Sequence, residues 1–137
     1  MNIDAIKNGV VIDHIAAGQG IKLYNLLNLD KLDCSVAIIK NAVSEKYGKK
    51  DIIKIAADVT LDFDVIGFVA PTATVAFIKN GQIVEKHGVK LPETLTNVIK
   101  CKNPRCITTC EQELDQVFKL TDKENKVYRC IYCETKA

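Results

Sequence analysis

The chain has 137 residues, 47% of them apolar, and carries 19 Lys and Arg against 17 Asp and Glu for a net charge of +2. The charge is evenly spread, without the clustered basic stripe by which a protein displaces counterions from a nucleic acid. No apolar run approaches the ~18 residues of a membrane span, and the opening MNIDAIKNG lacks a charged-then-apolar signal region, so a cytoplasmic protein with reduced thiols is expected.

Residues 1 to 9 are polar, with Ile3 and Ile6 spaced for anchoring. Val10 to Ile15 is a β-branched run that reads as a strand. Strict alternation puts Val11, Asp13 and Ile15 on one face and Val10, Ile12 and His14 on the other. Gly18 and Gly20 stop the strand, and Ile21, Leu23, Tyr24, Leu26, Leu27 and Leu29 then recur at helical steps, predicting an amphipathic helix over 20–29. Cys34 to Lys40 alternates as a second strand, with Cys34 as core packing. Ser44 to Lys50 reads as a polar loop turning at Gly48, and Ile52 to Ala57 as a third strand with Lys54 in its middle. Leu61 to Val69 is a second helix, closed by Ala70-Pro71 because proline and its predecessor resist continuation. Thr74–Lys79 and Gln82–His87 form a hairpin across Asn80-Gly81. The order β-α-β-β-α-β-β is the ferredoxin-like split βαβ pattern with one added strand. It predicts an α+β domain with an antiparallel sheet, two helices on one face, and a central first strand beside the third, bringing Asp13 and Lys54 within reach of each other.

Gly88 to Pro92 marks a boundary that divides the chain into 1–91 and 92–137. The second part has few large apolar residues and needs a staple. Cys101 and Cys106 enclose four residues, Cys130 and Cys133 enclose two, and Asn103-Pro104 fits a turn between the first pair. Four thiolates in two such pairs read as one closed tetrahedral Zn2+ site, structural rather than catalytic, whose binding free energy of roughly 10–16 kcal/mol is ample to fold a short segment. Iron also accepts four thiolates, and two disulfides would require an oxidising compartment. Cys110 is a solvated neighbour or an alternate ligand. Thr96 to Lys100 reads as a strand entering the first knuckle, and Val117–Leu120 with Val127–Cys130 as a hairpin across Thr121 to Asn125. Together these make a small all-β, zinc-ribbon-like domain. His14 and His87 are the only histidines, and no nucleophile elbow or phosphate-cradling loop is present, so no catalysis is expected.

Asp4-Ala5-Ile6-Lys7, Val11-Ile12-Asp13-His14-Ile15, Lys50 to Ile55, Ala70-Pro71, Ala73-Thr74-Val75, Leu91-Pro92-Glu93 and Asn97-Val98, followed by the two cysteine pairs, together resemble the regulatory chain of aspartate carbamoyltransferase. The resemblance implies a non-catalytic subunit. Residues 1–91 would be an allosteric nucleotide-binding domain for CTP, UTP and ATP, self-associating into regulatory dimers. Residues 92–137 would be a zinc domain docking on the catalytic chain, and the whole would modulate the first committed step of pyrimidine biosynthesis. It also assigns roles. Asp13 and Lys54 would hold ribose and base, Lys86 the phosphates, and His14 would neighbour them; Asp4, Ala5 and Ile6 would read the base edge, and Ile83 would belong to the same nucleotide site. Two hairpin positions that carry an amide and an aromatic in the family's best-studied members hold Ala76 and Gly81 here. A rival reading is therefore a structural linker whose effector site has decayed; a third, less favoured by the even charge, is a zinc-ribbon nucleic-acid binder.

Overall fold

The computed structural model describes residues 7–45, 48–111 and 113–137, and the chain divides into two compact units between Lys90 and Leu91. The first holds β1 (Gly9–Ala16), α1 (Gly20–Leu26), β2 (Val36–Ser44), β3 (Gly48–Ile55), α2 (Phe63–Val69), β4 (Thr74–Lys79) and β5 (Gln82–Gly88). Its sheet runs β2-β3-β1-β4-β5 with every neighbouring pair antiparallel, so β1 is central beside β3, as the split βαβ order requires. One face of the sheet is the core: Val10, Ile12, Ile15, Ile53, Ile55 and Val75 are fully buried, together with Leu23 of α1 and Ile66 of α2. Among the described residues no helix covers the other face, where Asp13, His14, Lys54, Ile83 and Lys86 gather.

Several boundaries differ from the sequence expectation for local reasons. The first helix stops at Leu26 instead of 29, because Asn28 turns left-handed (φ 55°) and the chain continues as a 3-10 turn, Leu29–Lys31. The second strand begins at Val36, leaving Cys34 outside it, and runs to Ser44. The third strand begins at Gly48, so residues 48–50, read as loop, are strand. α2 starts at Phe63 because the Asp62 carboxylate accepts from the backbone N–H groups of Asp64 (3.0 Å) and Val65 (3.4 Å), an N-cap. The hairpin turn has left-handed Asn80 (φ 53°) and Gly81 (φ 76°), the type I′ geometry that matches strand twist.

The larger departure lies in the pairing. Ile12 faces Ile53 and Ile15 faces Asp51, so β1 spends three steps where β3 spends two. His14, at φ 58°, sits in this bulge. Ile15 therefore joins Val10 and Ile12 in the core instead of sharing a face with Val11 and Asp13. A second bulge lies in β2, where Ile39 faces Ile52 and Ala42 faces Lys50 with left-handed Asn41 between them. A third lies in β5, where Ile83 faces Ile78 and Glu85 faces Phe77, leaving Val84 as the extra residue.

The second unit has a three-stranded sheet of β6 (Thr94–Thr96), β7 (Val117–Asp122) and β8 (Val127–Cys130), plus a one-turn helix α3 (Ile107–Cys110) that the sequence reading did not foresee. Leu95, Phe118 and Tyr128 form its core, and the Tyr128 hydroxyl donates to the Pro92 carbonyl at 2.6 Å. The strand expected at 96–100 lies earlier, because left-handed Asn97 (φ 57°) ends it. The Asn97 side chain accepts from the Gln116 N–H (2.9 Å) and donates to Asp115 (3.0 Å), which directs residues 98–100 away from the sheet towards Cys101.

Candidate functional site

Register places Asp13, Lys54, Ile83 and Lys86 on the face opposite the core. Val11 is paired with both Lys54 and Ala76, and Ala76 with Lys86, so Lys54, Val11, Ala76 and Lys86 form one row across β3, β1, β4 and β5. In the next row Asp13 faces Thr74. The β1 bulge turns His14 to this side as well, where its Nδ1 lies 3.0 Å from Thr74 Oγ1. Alternation had put Asp13 and His14 on opposite faces, and the extra residue corrects that. The β5 bulge acts likewise: Ile83 and Lys86 are three residues apart, an odd spacing, yet both face the open side through their partners Ile78 and Ala76. His87 faces Val75 on the covered side, where it meets Phe63 and Phe77 edge to face at 6.2 and 6.0 Å, and its Nε2 lies 3.2 Å from Glu85.

The cation beside Asp13 is Lys50, not Lys54. Lys50 Nζ lies 3.0 Å from Asp13 Oδ1 and 3.3 Å from Oδ2, while Lys54 stands across from Val11. Partial burial alone would raise the Asp13 carboxyl. The Lys50 hydrogen bond, the His14 N–H at 2.6 Å, and the charges of His14 and Lys50 together hold it below its ordinary 3.8. On sequence alone Lys50 falls in a polar segment that reads as a loop, whereas it lies within β3. Its even spacing from Lys54 becomes informative once β3 is extended to Gly48. Asp4, Ala5 and Ile6 lie outside the described residues. Just after them the Lys7 carbonyl accepts from the Gly81 N–H at 2.9 Å and Asn8 Oδ1 accepts from the Asn80 N–H at 3.3 Å, which brings the start of β1 to the hairpin turn.

In the second unit the sulfurs of Cys101, Cys106, Cys130 and Cys133 all lie within 4.8 Å of one another. Cys101 and Cys133 are 3.5 Å apart and Cys106 and Cys130 3.7 Å, close to the roughly 3.8 Å edge of a tetrahedron with metal–sulfur bonds of about 2.3 Å. All four are free cysteines gathered in one cluster, the arrangement of a shared ion, and exposed Cys110 stands outside it. Both knuckles are built by local backbone. Asn103 Oδ1 accepts from the Arg105 N–H (3.0 Å) and its carbonyl from the Cys106 N–H (3.1 Å), closing the four-residue loop. Left-handed Glu134 (φ 64°) follows Cys133, and its N–H returns to the Cys130 carbonyl at 2.8 Å.

Neighbours tune the sulfurs. Thr108 Oγ1 donates to Cys106 Sγ at 3.1 Å, and Asn103 Nδ2 donates to Thr135 Oγ1, which lies 3.2 Å from Cys133 Sγ. The Thr135 hydroxyl and N–H draw the Cys133 thiol down to about 6, whereas burial pushes Cys101 up to about 12. Such oriented partners are what an all-thiolate site needs to fix its ligands. The donor set fits zinc, which would supply a cross-link and no reaction, since a closed shell has no open position.

A family model described as the allosteric domain of the aspartate carbamoyltransferase regulatory chain matches residues 1–90, and one described as the metal binding domain of that chain matches 93–137. The aspartate carbamoyltransferase regulatory chain of Clostridium botulinum (strain Hall) is 53% identical over 134 residues, covering 98% of this chain and 92% of the relative. Its counterpart from Clostridium tetani is 50% identical over 135 residues (98% and 94% covered), and that of Bifidobacterium longum 47% over 137 (100% and 99%). The chain belongs to the aspartate carbamoyltransferase regulatory chains. As a regulatory chain it is a non-catalytic subunit, with its allosteric domain on the five-stranded sheet and its metal centre, a zinc site, at the four thiolates. Among the described residues no helix is long and apolar enough to cross a membrane.

Proposed function

We propose that this regulatory chain is a cytoplasmic, effector-sensing subunit that binds CTP, UTP or ATP on the open face of its first unit and docks its zinc unit on the catalytic chain of aspartate carbamoyltransferase. The observation that carries the reading is the gathering of Asp13, His14, Lys54, Ile83 and Lys86 on one face, joined by Lys50 and Thr74. A nucleoside triphosphate requires such a set: ammonium groups for the phosphates, a carboxylate for ribose hydroxyls, and apolar floor for the base. Val11, Ala76 and Ile83 supply the floor, and the family resemblance assigns the base edge to Asp4, Ala5 and Ile6. Exposed Ile107, Ile131 and Tyr132, each next to a zinc ligand or between two, support the docking role of the second unit. Pairing of the first units into regulatory dimers follows the family and completes the bridge between catalytic chains.

Effector binding would bias the enzyme by the ~1–3 kcal/mol typical of allosteric coupling, and catalytic-site ligands must shift nucleotide affinity by the same factor. Calorimetry of the assembled enzyme with CTP, UTP and ATP, with and without a bisubstrate analogue, tests this; nucleotide affinity indifferent to the analogue rejects the coupling. The linker reading rests on Ala76 and Gly81. Gly81 has its own reason in the turn, since it adopts φ 76°. Ala76 leaves only a methyl in the middle of the row, and no binding of any of the three nucleotides at millimolar concentration would favour the linker.

A further inference from the structure

Asp51 is fully buried in the first unit, on the core side of β3, and none of the roles above uses it. Both of its carboxylate oxygens are engaged by backbone. Oδ2 accepts from the N–H groups of Gly18 (3.0 Å) and Gly20 (2.9 Å), and Oδ1 from the N–H of Asn41 (3.0 Å). These donors lie on two different neighbours of β3: the turn that leaves β1 and the bulge of β2. Along β3, Asp51 is the residue level with both irregularities, paired with Ile15 at the end of the β1 bulge and placed between Ile52 and Lys50, which flank the β2 bulge. The fit is close, because a Cβ on Gly20 would stand 2.9 Å from Asp51 Oδ2. Only glycine at position 20 leaves room for the carboxylate.

We infer that Asp51 is a positioning residue for the effector face. Its three hydrogen bonds pin the exit of β1, and so fix the bulge that turns Asp13 and His14 to one side, while its neighbour Lys50 is held on the opposite face of β3 to meet Asp13. A carboxyl group whose two oxygens accept three N–H bonds serves this purpose, because an amide in its place offers one acceptor oxygen and must release one of the two segments. The inference rests on the nucleotide reading for its consequence but not for its geometry.

The test uses the full, zinc-loaded chain. Asp51→Asn is expected to weaken CTP and ATP binding at least tenfold by calorimetry, with zinc content unchanged. The imidazole nitrogen signals of His14 should move away from those of the ring bonded to Thr74. Ile53→Val, a core substitution, should lower the unfolding midpoint while leaving affinity and the His14 signals alone. If Asp51→Asn fails to fold, Gly20→Ala displaces the same carboxylate and is expected to give the same two changes. Retained affinity with unmoved His14 signals overturns the inference, and so does Ile53→Val reproducing both effects. Failure of the unsubstituted chain to bind nucleotide rejects the effector reading instead; the His14 signals then decide whether Asp51 holds the bulge.

Discussion

Lys50 meets Asp13 because the two strands that carry them are neighbours and their side chains share the uncovered face. Both groups are only partly buried, at 17% and 31% side-chain exposure, so the pair contributes about 0.2–1 kcal/mol to stability. Its sign with pH follows from the lowered Asp13 carboxyl: the contribution is present above the ordinary value of 3.8 and is lost as pH falls through the folded value. Lys50→Met should raise the Asp13 titration midpoint towards 3.8, observable by carboxyl NMR, and an unmoved midpoint would remove Lys50 as its partner. Lys86 belongs to the same face, through its partner Ala76. It is exposed on the edge strand β5, where under the proposed reading it would serve as a point charge for phosphate. Lys86→Ala should weaken a triphosphate by roughly 10- to 150-fold while changing the parent nucleoside little, since charge-assisted bonds are worth roughly 1.5–3 kcal/mol. Equal losses for both would take Lys86 out of the phosphate role.

At the level of elements, periodicity located each strand and helix of the first unit, because β-branched runs and helical steps are local signals. Bulges are not local. Whether β1 spends an extra residue at Asp13-His14 depends on what β3 offers opposite, and Asp51 binding Gly18, Gly20 and Asn41 is a contact between residues 10 to 33 apart in sequence. Strict alternation consequently split Asp13 from His14 and would have split Ile83 from Lys86. The zinc knuckles were legible for the opposite reason, since ligand spacing and the Asn103-Pro104 turn are written within a few residues. The hairpin turn was legible too, and it yields a test of backbone alone. Gly81 adopts φ 76° with open space around its Cβ position, so Gly81→Ala meets no clash and pays only for a left-handed alanine, about 1 kcal/mol. For a unit of this size that lowers the melting temperature by roughly 4–8 °C. A melting temperature within 1 °C of the parent chain, on the order of measurement error, would mean that the turn relaxes at no cost.

Across the whole chain, the two units are held together internally by different means. The first has a continuous core in which Val10, Ile12, Ile15, Ile53, Ile55 and Val75 are completely buried, and none of the four clustered cysteines belongs to it. The second has strands of three, six and four residues around Leu95, Phe118 and Tyr128, too little apolar area for a segment that short to stay folded unaided. A bound zinc ion would supply roughly 10–16 kcal/mol where the core is smallest. Chelating the zinc should strip amide protection from residues 94–135 while leaving β1, β3 and β4 protected, and should release the catalytic chain before effector affinity changes. Cys106→Ala should reproduce this without chelator, since three thiolates cannot close the shell. Hydrogen exchange with zinc present and absent distinguishes the outcomes. Simultaneous loss of protection in both units would show that the first depends on the metal, and unchanged protection in the second would show that its sheet needs no ion.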